Sequence, residues 1–272
     1  MSTRHVAILI DGGFFLRRLP AIVGKSKCVT PEEVILWINR MCKGHIKNLT
    51  GDDKRWRDHI YRIFYYDARP YDGKSHHPML NRSIDFSKSD TARFRLELFD
   101  ALKKQRKVAL RLGKVTREGD WTLPNQRMKK LFATQSWFAA LSITDANEPL
   151  ILTPEQHEAA VRMKNIWMVI QANEVFLPLK QKGVDMRIGL DIASIALKKQ
   201  ADTVVLVAGD SDFVPAAKLA RREGMEIILD PLWQQVHDDL FEHIDGLYSG
   251  LRKNKSGPFE PEATMESGPG EL

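Results

Sequence analysis

Two carboxylates separated by one serine, Asp210-Ser211-Asp212, follow directly on the apolar run Val204-Val205-Leu206-Val207-Ala208-Gly209. Such a run is too apolar for a half-solvated strand and predicts a buried strand of a parallel sheet, covered by helices on both faces. Its carboxyl end is where open α/β sheets bind ligands, so the two acids there are a candidate metal site. The first apolar run, Val6 to Ile10, ends the same way, in Asp11-Gly12-Gly13. Paired glycines permit a tight turn and close approach of a ligand to the backbone. The plainer reading makes Asp11 a cap for the helix that begins with Phe14, Phe15 and Leu16. A third acidic set, Lys182-Gly183-Val184-Asp185 with Asp191 six residues on, opens a helix carrying Ile188, Ile192 and Ile195. Asp185 reads there as a ligand or as the helix N-cap. Asp191 has apolar neighbours, Gly189-Leu190 and Ile192-Ala193, so its charge needs a cation or water nearby.

Several carboxylates crowded together repel one another, and either they take up protons or a hard divalent cation neutralises them. An all-oxygen set without Cys or His fits magnesium or manganese. A centre of that kind suits phosphodiester hydrolysis.

The elements that must carry these residues alternate strand and helix. Thr30-Pro31-Glu32-Glu33 is a helix start with a cap, an N1 proline and an acid at N3, and the helix is expected to run to about Cys42. Ile60 to Tyr66 is a second strand, ending in Asp67, which either lines the crevice or caps the following loop. Ala68 to Pro78, with His76-His77, is expected to be polar loop and not a metal pair. Ser89 to Arg106 is an amphipathic helix, and Lys107 to Val115 a third strand. Beyond the acids, Val214 to Glu223 is a helix closed by Gly224, Glu226 to Leu229 a strand, and Gln234 to Ile244 a last helix.

The stretch 116–180 breaks the alternation, with Trp121, Trp137, Trp167 and a second capped helix start at Thr153-Pro154-Glu155-Gln156. It is expected to be a mainly helical insertion at the sheet's edge or over its crevice. Its aromatics form a small core of its own or a stacking surface for single-stranded nucleic acid. Residues 251–272 lack apolar periodicity and are expected to be a disordered tail. The fold class expected is α/β, with residues 1–250 forming one domain around a central, mostly parallel sheet with helices on both faces.

Composition narrows the function. The chain has 272 residues, 43% hydrophobic and 28% charged, as in ordinary soluble proteins. Cys28 and Cys42 make neither a disulfide framework nor a zinc site. No secretory leader and no run of the ~20 apolar residues a membrane span needs are visible, so a cytoplasmic protein without membrane contact is expected. The net charge of +6 and pI near 9.2 permit an anionic partner, and cations crowd the stretch from Lys103 to Lys130.

Val6-Ala7-Ile8-Leu9-Ile10-Asp11-Gly12, Lys182-Gly183-Val184-Asp185 with Asp191, and Ala208-Gly209-Asp210-Ser211-Asp212-Phe213 resemble, in that order, the NYN domain family. This is the PIN-like nuclease group that includes the LabA-like (DUF88) proteins. The resemblance spans roughly Arg4 to Asp230 without the insertion. It implies a PIN-like three-layer fold and a Mg²⁺- or Mn²⁺-dependent ribonuclease acting on RNA, single-stranded or structured. The implied metal ligands are Asp11, Asp185, Asp191, Asp210 and Asp212. Asp11 and Asp210 would hold the principal ion, with Asp191 and Asp212 acting through bound water or a second ion. Gly12, Ser211, Arg111 and Lys114 are the substrate-binding candidates, Ser211 donating to a phosphate. One position departs from the family pattern: many members carry Asn three residues after the first Asp, where this chain has Phe14. Two alternatives stay open, an RNA-binding module with a vestigial site and a Toprim-like phosphotransferase. The latter wants Glu where this chain has Asp11.

Overall fold

The apolar runs that flank the acids are the centre of the sheet. In the computed structural model, which describes residues 4–139, 151–236 and 238–253, the first run is strand β1 (Val6–Asp11) and leads without a loop into helix α1 (Gly12–Val23). Helix α2 (Pro31–Thr50) starts at the expected capping box, Thr30 with Glu33, and runs two turns beyond Cys42 to a left-handed Gly51. Next come β2 (Ile60–Arg69), a hairpin of β3 (Lys74–His77) and β4 (Arg82–Asp85), α3 (Asp90–Lys103) and β5 (Val108–Arg117). Helices α4 (Asn125–Phe132), α5 (Gln135–Ala139) and α6 (Pro154–Met168) follow, then β6 (Leu179–Lys182) and α7 (Val184–Leu197). The chain continues with β7 (Thr203–Val207), a 3-10 turn Ser211–Phe213, α8 (Val214–Arg222), β8 (Glu226–Asp230), α9 (Asp238–Phe241) and β9 (Gly246–Leu247).

Seven strands form one sheet in the order β6-β5-β2-β1-β7-β8-β9, parallel throughout except for the β5–β6 pair. Every side chain of β7 is buried, as a strand covered on both faces requires. One face carries α1, α2 and α3 through Phe15, Leu19, Val34, Ile38, Leu98 and Phe99. The other carries α7 and α8 through Ile188, Ile192, Ile195, Ala217 and Ala220. These three layers are the α/β architecture expected, a central, mostly parallel sheet with helices on both faces. Strand order reverses at β1, since the chain builds outward to β2 on one side and to β7 on the other. The carboxyl edge between β1 and β7 is therefore the topological switch point where such sheets bind ligands. Among the described residues no helix is long and apolar enough to cross a membrane.

Several boundaries differ from expectation. The polar stretch after Asp67 contains the β3–β4 hairpin, and His77 is buried in it. His77 Nδ1 accepts from the backbone N–H groups of Met79 and Leu80, and its ring lies 4.5 Å from Trp121. It is a packing residue. The described residues of the insertion include helices α4, α5 and α6, and its stem is pinned to the sheet by the bridge Thr122–Phe176 and by Trp121 Nε1 donating to Ser75. It returns through β6, an antiparallel edge strand too short and polar (Leu-Lys-Gln-Lys) to announce itself. The last helix is only Asp238–Phe241. Leu251 is buried and accepts from Trp233 Nε1 through its carbonyl, so the fold extends past residue 250. The tail expected from there lies, beyond residue 253, outside the described residues.

Candidate active site

Asp11 ends β1 and caps α1: its Oδ1 accepts the Phe14 N–H at 3.0 Å. Burial pushes its carboxyl up to about 6, the Phe14 N–H opposes this, Asp185 and Asp67 add to it, and Arg17 pulls it down. The plain reading of Asp11 as a cap is thus true, and the residue is also part of an acidic group.

Asp185 is not the N-cap of α7. That position is Gly183, left-handed at φ 78, and Asp185 lies in the first helical turn. Its carboxyl is raised by loss of water and then by Asp210 and Asp212. Asp210 Oδ1 accepts the Asp212 N–H at 3.2 Å, which closes the 3-10 turn, and buried Phe213 anchors that turn beneath α8. Both acids are exposed, and Ser211 between them is half-buried. The register Ile10↔Val207 sets the ends of β1 and β7 side by side. Asp11, Asp185, Asp210 and Asp212 thus form a run of mutually repelling carboxyls around the switch point.

Two glycines make this edge possible. A Cβ at Gly12 would come within 2.6 Å of the Tyr65 ring and of the Tyr66 carbonyl, so Gly12 lets α1 lie against β2. Packing alone is enough to require a glycine there. A Cβ at Gly209 would come within 2.5 Å of the Phe14 ring. Phe14, where many NYN members carry Asn, is a core residue wedged under the turn that presents Asp210.

Asp191 faces elsewhere. Its Oδ2 accepts from the Tyr66 hydroxyl at 2.8 Å and from Arg111 Nε at 3.1 Å. Burial first, and Asp191 second, push the Tyr66 hydroxyl upward, so it stays a donor. The Arg111 guanidinium also lies 5.3 Å from the centre of the Phe64 ring, so it is committed to the protein. Lys114 is exposed near the end of β5. Asp67 neither caps a loop nor opens to the crevice: it is fully buried and paired with Arg95 of α3. Its Oδ2 and the Tyr65 hydroxyl are buried with no hydrogen-bond partner among the described residues. Both lie close enough to Asp11 to share its field.

Sequence reasoning missed Gln181. A Cβ on Gly13 would lie 3.5 Å from Asp11 Oδ1 and 3.7 Å from Gln181 Oε1, which brings an amide from β6 to the Asp11 edge. With β6 unrecognised, no signal marked it.

A hard divalent ion suits the donor chemistry of this edge, carboxylate oxygens from three segments, with Asp185 raising Asp11 and raised in turn by Asp210 and Asp212. Among the described residues, no three Asp, Glu, His or Cys side chains are grouped tightly enough to hold a metal as they stand. Asp185 and Asp212 are exposed, whereas Asp11 and Asp210 are each held by a cap, Asp11 accepting the Phe14 N–H and Asp210 the Asp212 N–H.

Residues 152–242 match the family model of the NYN domain. The matched stretch holds Asp185, Asp191, Asp210 and Asp212 and leaves Asp11 outside. No curated protein matches the chain. Among solved structures, a protein of unknown function from Vibrio parahaemolyticus RIMD 2210633 is similar, with 11% identity, 90% of this chain and 91% of that one covered, and a TM-score of 0.39. Over residues 152–242, which are less than half of the chain, the protein is similar to the NYN domain family.

Proposed function

We propose that this protein is a metal-dependent ribonuclease that hydrolyses phosphodiester bonds at the carboxyl edge between β1 and β7. The observation that supports the reading is that the ends of β1 and β7 lie side by side, with Asp185 raising the Asp11 carboxyl and itself raised by Asp210 and Asp212. Isolated acids on a surface are solvated singly; a group held at mutual cost is characteristic of a functional site.

Asp11, Asp185, Asp210 and Asp212 would hold Mg²⁺ or Mn²⁺. A bound ion supplies charge neutralisation at the scissile phosphate and an activated water. Asp11, rigid as the α1 cap, sets the position of the group. Asp210 and Asp212 move with the turn anchored by Phe213. Ser211 offers a hydroxyl to a phosphate oxygen, and Gln181 an amide from the opposite side. Asp191 enters as the residue that holds Tyr66 and Arg111 in place behind the acids.

The test is cleavage of labelled single-stranded and structured RNA with Mg²⁺ or Mn²⁺, comparing wild type with Asp210→Asn and with EDTA. Loss of a charge that stabilises the transition state lowers the rate by on the order of 10²–10³-fold. Full activity in the variant or in EDTA defeats the proposal. A second reading, RNA binding without cleavage, is favoured by the absence of a ready-made three-ligand group among the described residues. It is established if wild type binds RNA yet leaves it intact with saturating Mn²⁺.

A further inference from the structure

Beside the acids, three cations stand in one row across the sheet. Arg69 of β2 is in register with Lys114 of β5, and Lys114 with Lys182 of β6. Residues in register on adjacent strands share a face with Cβ atoms about 4.5–5.5 Å apart, and like charges so placed destabilise the sheet. All three are exposed. Lys182 has Glu118 at 3.0 Å, whereas Arg69 and Lys114 have no carboxylate partner among the described residues. The fold gives Arg69 and Lys114 no counter-charge among the described residues and shares Lys182 with one exposed glutamate, so an external anion is the natural complement.

The row adjoins a cleft. The cleft is shallow and open, and is lined by Pro70, Tyr71, Phe86, Val115, Leu179 and Arg95. Pro70 and Val115 directly follow the cations Arg69 and Lys114 in the chain. The walls are flat and apolar: Tyr71 meets Phe86 edge to face at 5.5 Å, and Trp121 stands 6.2 Å behind Phe86. Arg95, already paired with Asp67, adds a planar cation. An anion track next to aromatic walls fits a polymer of alternating phosphates and flat rings whose bases are unpaired. A duplex keeps its bases stacked inside and gains only the charges.

Position links row and acids. Asp11 is in register with Tyr66, and Arg69 lies three residues further along β2. At about 3.3 Å per residue the row is roughly 10 Å beyond the level of Asp11. We propose that Arg69, Lys114 and Lys182, with the Tyr71–Phe86 cleft, form a binding track for single-stranded nucleic acid that leads the strand to the acidic edge. The track deepens the ribonuclease reading and rests on it only for where the strand goes, since binding needs no cleavage.

The experiment measures binding of a labelled oligouridylate by the full chain carrying Asp210→Asn, in EDTA, by fluorescence anisotropy over a salt series. Each phosphate contact to a single strand contributes about 0.7 to the slope of log K against log salt. Combined Arg69→Ala, Lys114→Ala and Lys182→Ala is expected to lower that slope by about 2. Tyr71→Ala is expected to weaken binding about tenfold with the slope unchanged, as loss of one stacked base does. Lys198→Ala with Lys199→Ala, at the far end of α7, leaves both unchanged. Thermal melts guard against a folding artefact: removing directly opposed like charges leaves the melting temperature level or higher.

Three results overturn the track: an unaltered slope in the triple variant, an equal loss in the Lys198/Lys199 control, or polyglutamate competing as well as oligouridylate. A melting temperature lowered by the triple change also overturns it, because the cations would then serve the fold. If the track variants behave as expected while wild type cuts nothing with Mn²⁺, the ribonuclease reading falls and the track stands. If wild type cuts RNA while the triple variant keeps its slope, the track falls and the ribonuclease stands.

Discussion

Replacing Asp11 by Asn in metal-free protein tests the electrostatics of the acidic edge directly. Burial, aided by Asp185 and Asp67, raises the Asp11 carboxyl from the usual 3.8 to about 6. A folded-state value above the unfolded one means that the folded protein binds the extra proton in that window. Stability is therefore lost as pH rises from about 4 through about 6. At about 1.36 kcal/mol per pH unit, keeping Asp11 ionised costs about 3 kcal/mol above pH 6. Solvent screening at a partly open edge brings the measured figure down towards about 2 kcal/mol. Asn keeps an Oδ1 to accept the Phe14 N–H, so the α1 cap survives the change. Urea unfolding in EDTA should show Asp11→Asn more stable than wild type above about pH 7, with the difference gone below about pH 4. Mn²⁺ should then stabilise wild type and leave the variant unmoved, on the proposed function. An Asn variant equal to or less stable than wild type at neutral pH without metal would refute the reasoning.

Gly209→Ala drives a methyl into the Phe14 ring, and overpacking of this kind costs about 1–3 kcal/mol; urea midpoints check it, and cleavage should fall with it because the Asp210 turn is displaced. Asp230, fully buried at the end of β8, accepts from the Leu232 and Gly250 N–H groups and pairs with His45 at 2.8 Å. Asp230→Ala is expected to cost about 3–5 kcal/mol and to release the segment Gly246–Leu251, read out as a change in Trp233 fluorescence. Arg95→Met strands the buried Asp67 carboxylate, again at about 3–5 kcal/mol near neutral pH. The Asp67 carboxyl is already raised by burial, so in this variant protonation relieves the deficit as pH falls through the acid range, and a pH series of unfolding midpoints shows it.

The central strands were legible because strands buried on both faces leave no polar residues to confuse the pattern, as in β1 and β7. The capping boxes at Thr30 and Thr153 were legible for the same local reason: a cap is written in four residues. What failed is what long-range contact decides. The β3–β4 hairpin is polar, and only Trp121, brought in by the insertion stem, buries His77. Strand β6 exists because it pairs with the end of β5. The His45–Asp230 pair joins residues 185 positions apart, with no motif at either end.

Asp185 and Asp191 show where motif reading stops. Six residues of α-helix turn through about 600°, which leaves the two side chains roughly 120° apart around the axis. Ile188, Ile192 and Ile195 hold α7 to the sheet, so the two acids occupy opposite flanks of the helix. On the flank towards β7 and α8, Asp185 meets the field of Asp210 and Asp212. On the flank towards β2 and β5, Asp191 meets Tyr66 and Arg111. One carboxylate therefore faces other carboxylates at an exposed edge, where a cation, a proton or water must come from outside. The other is already satisfied from within. On the proposed function, that contrast leaves Asp185 as the ion ligand and Asp191 as the residue that positions Arg111, and it follows from the helical repeat and the choice of buried face.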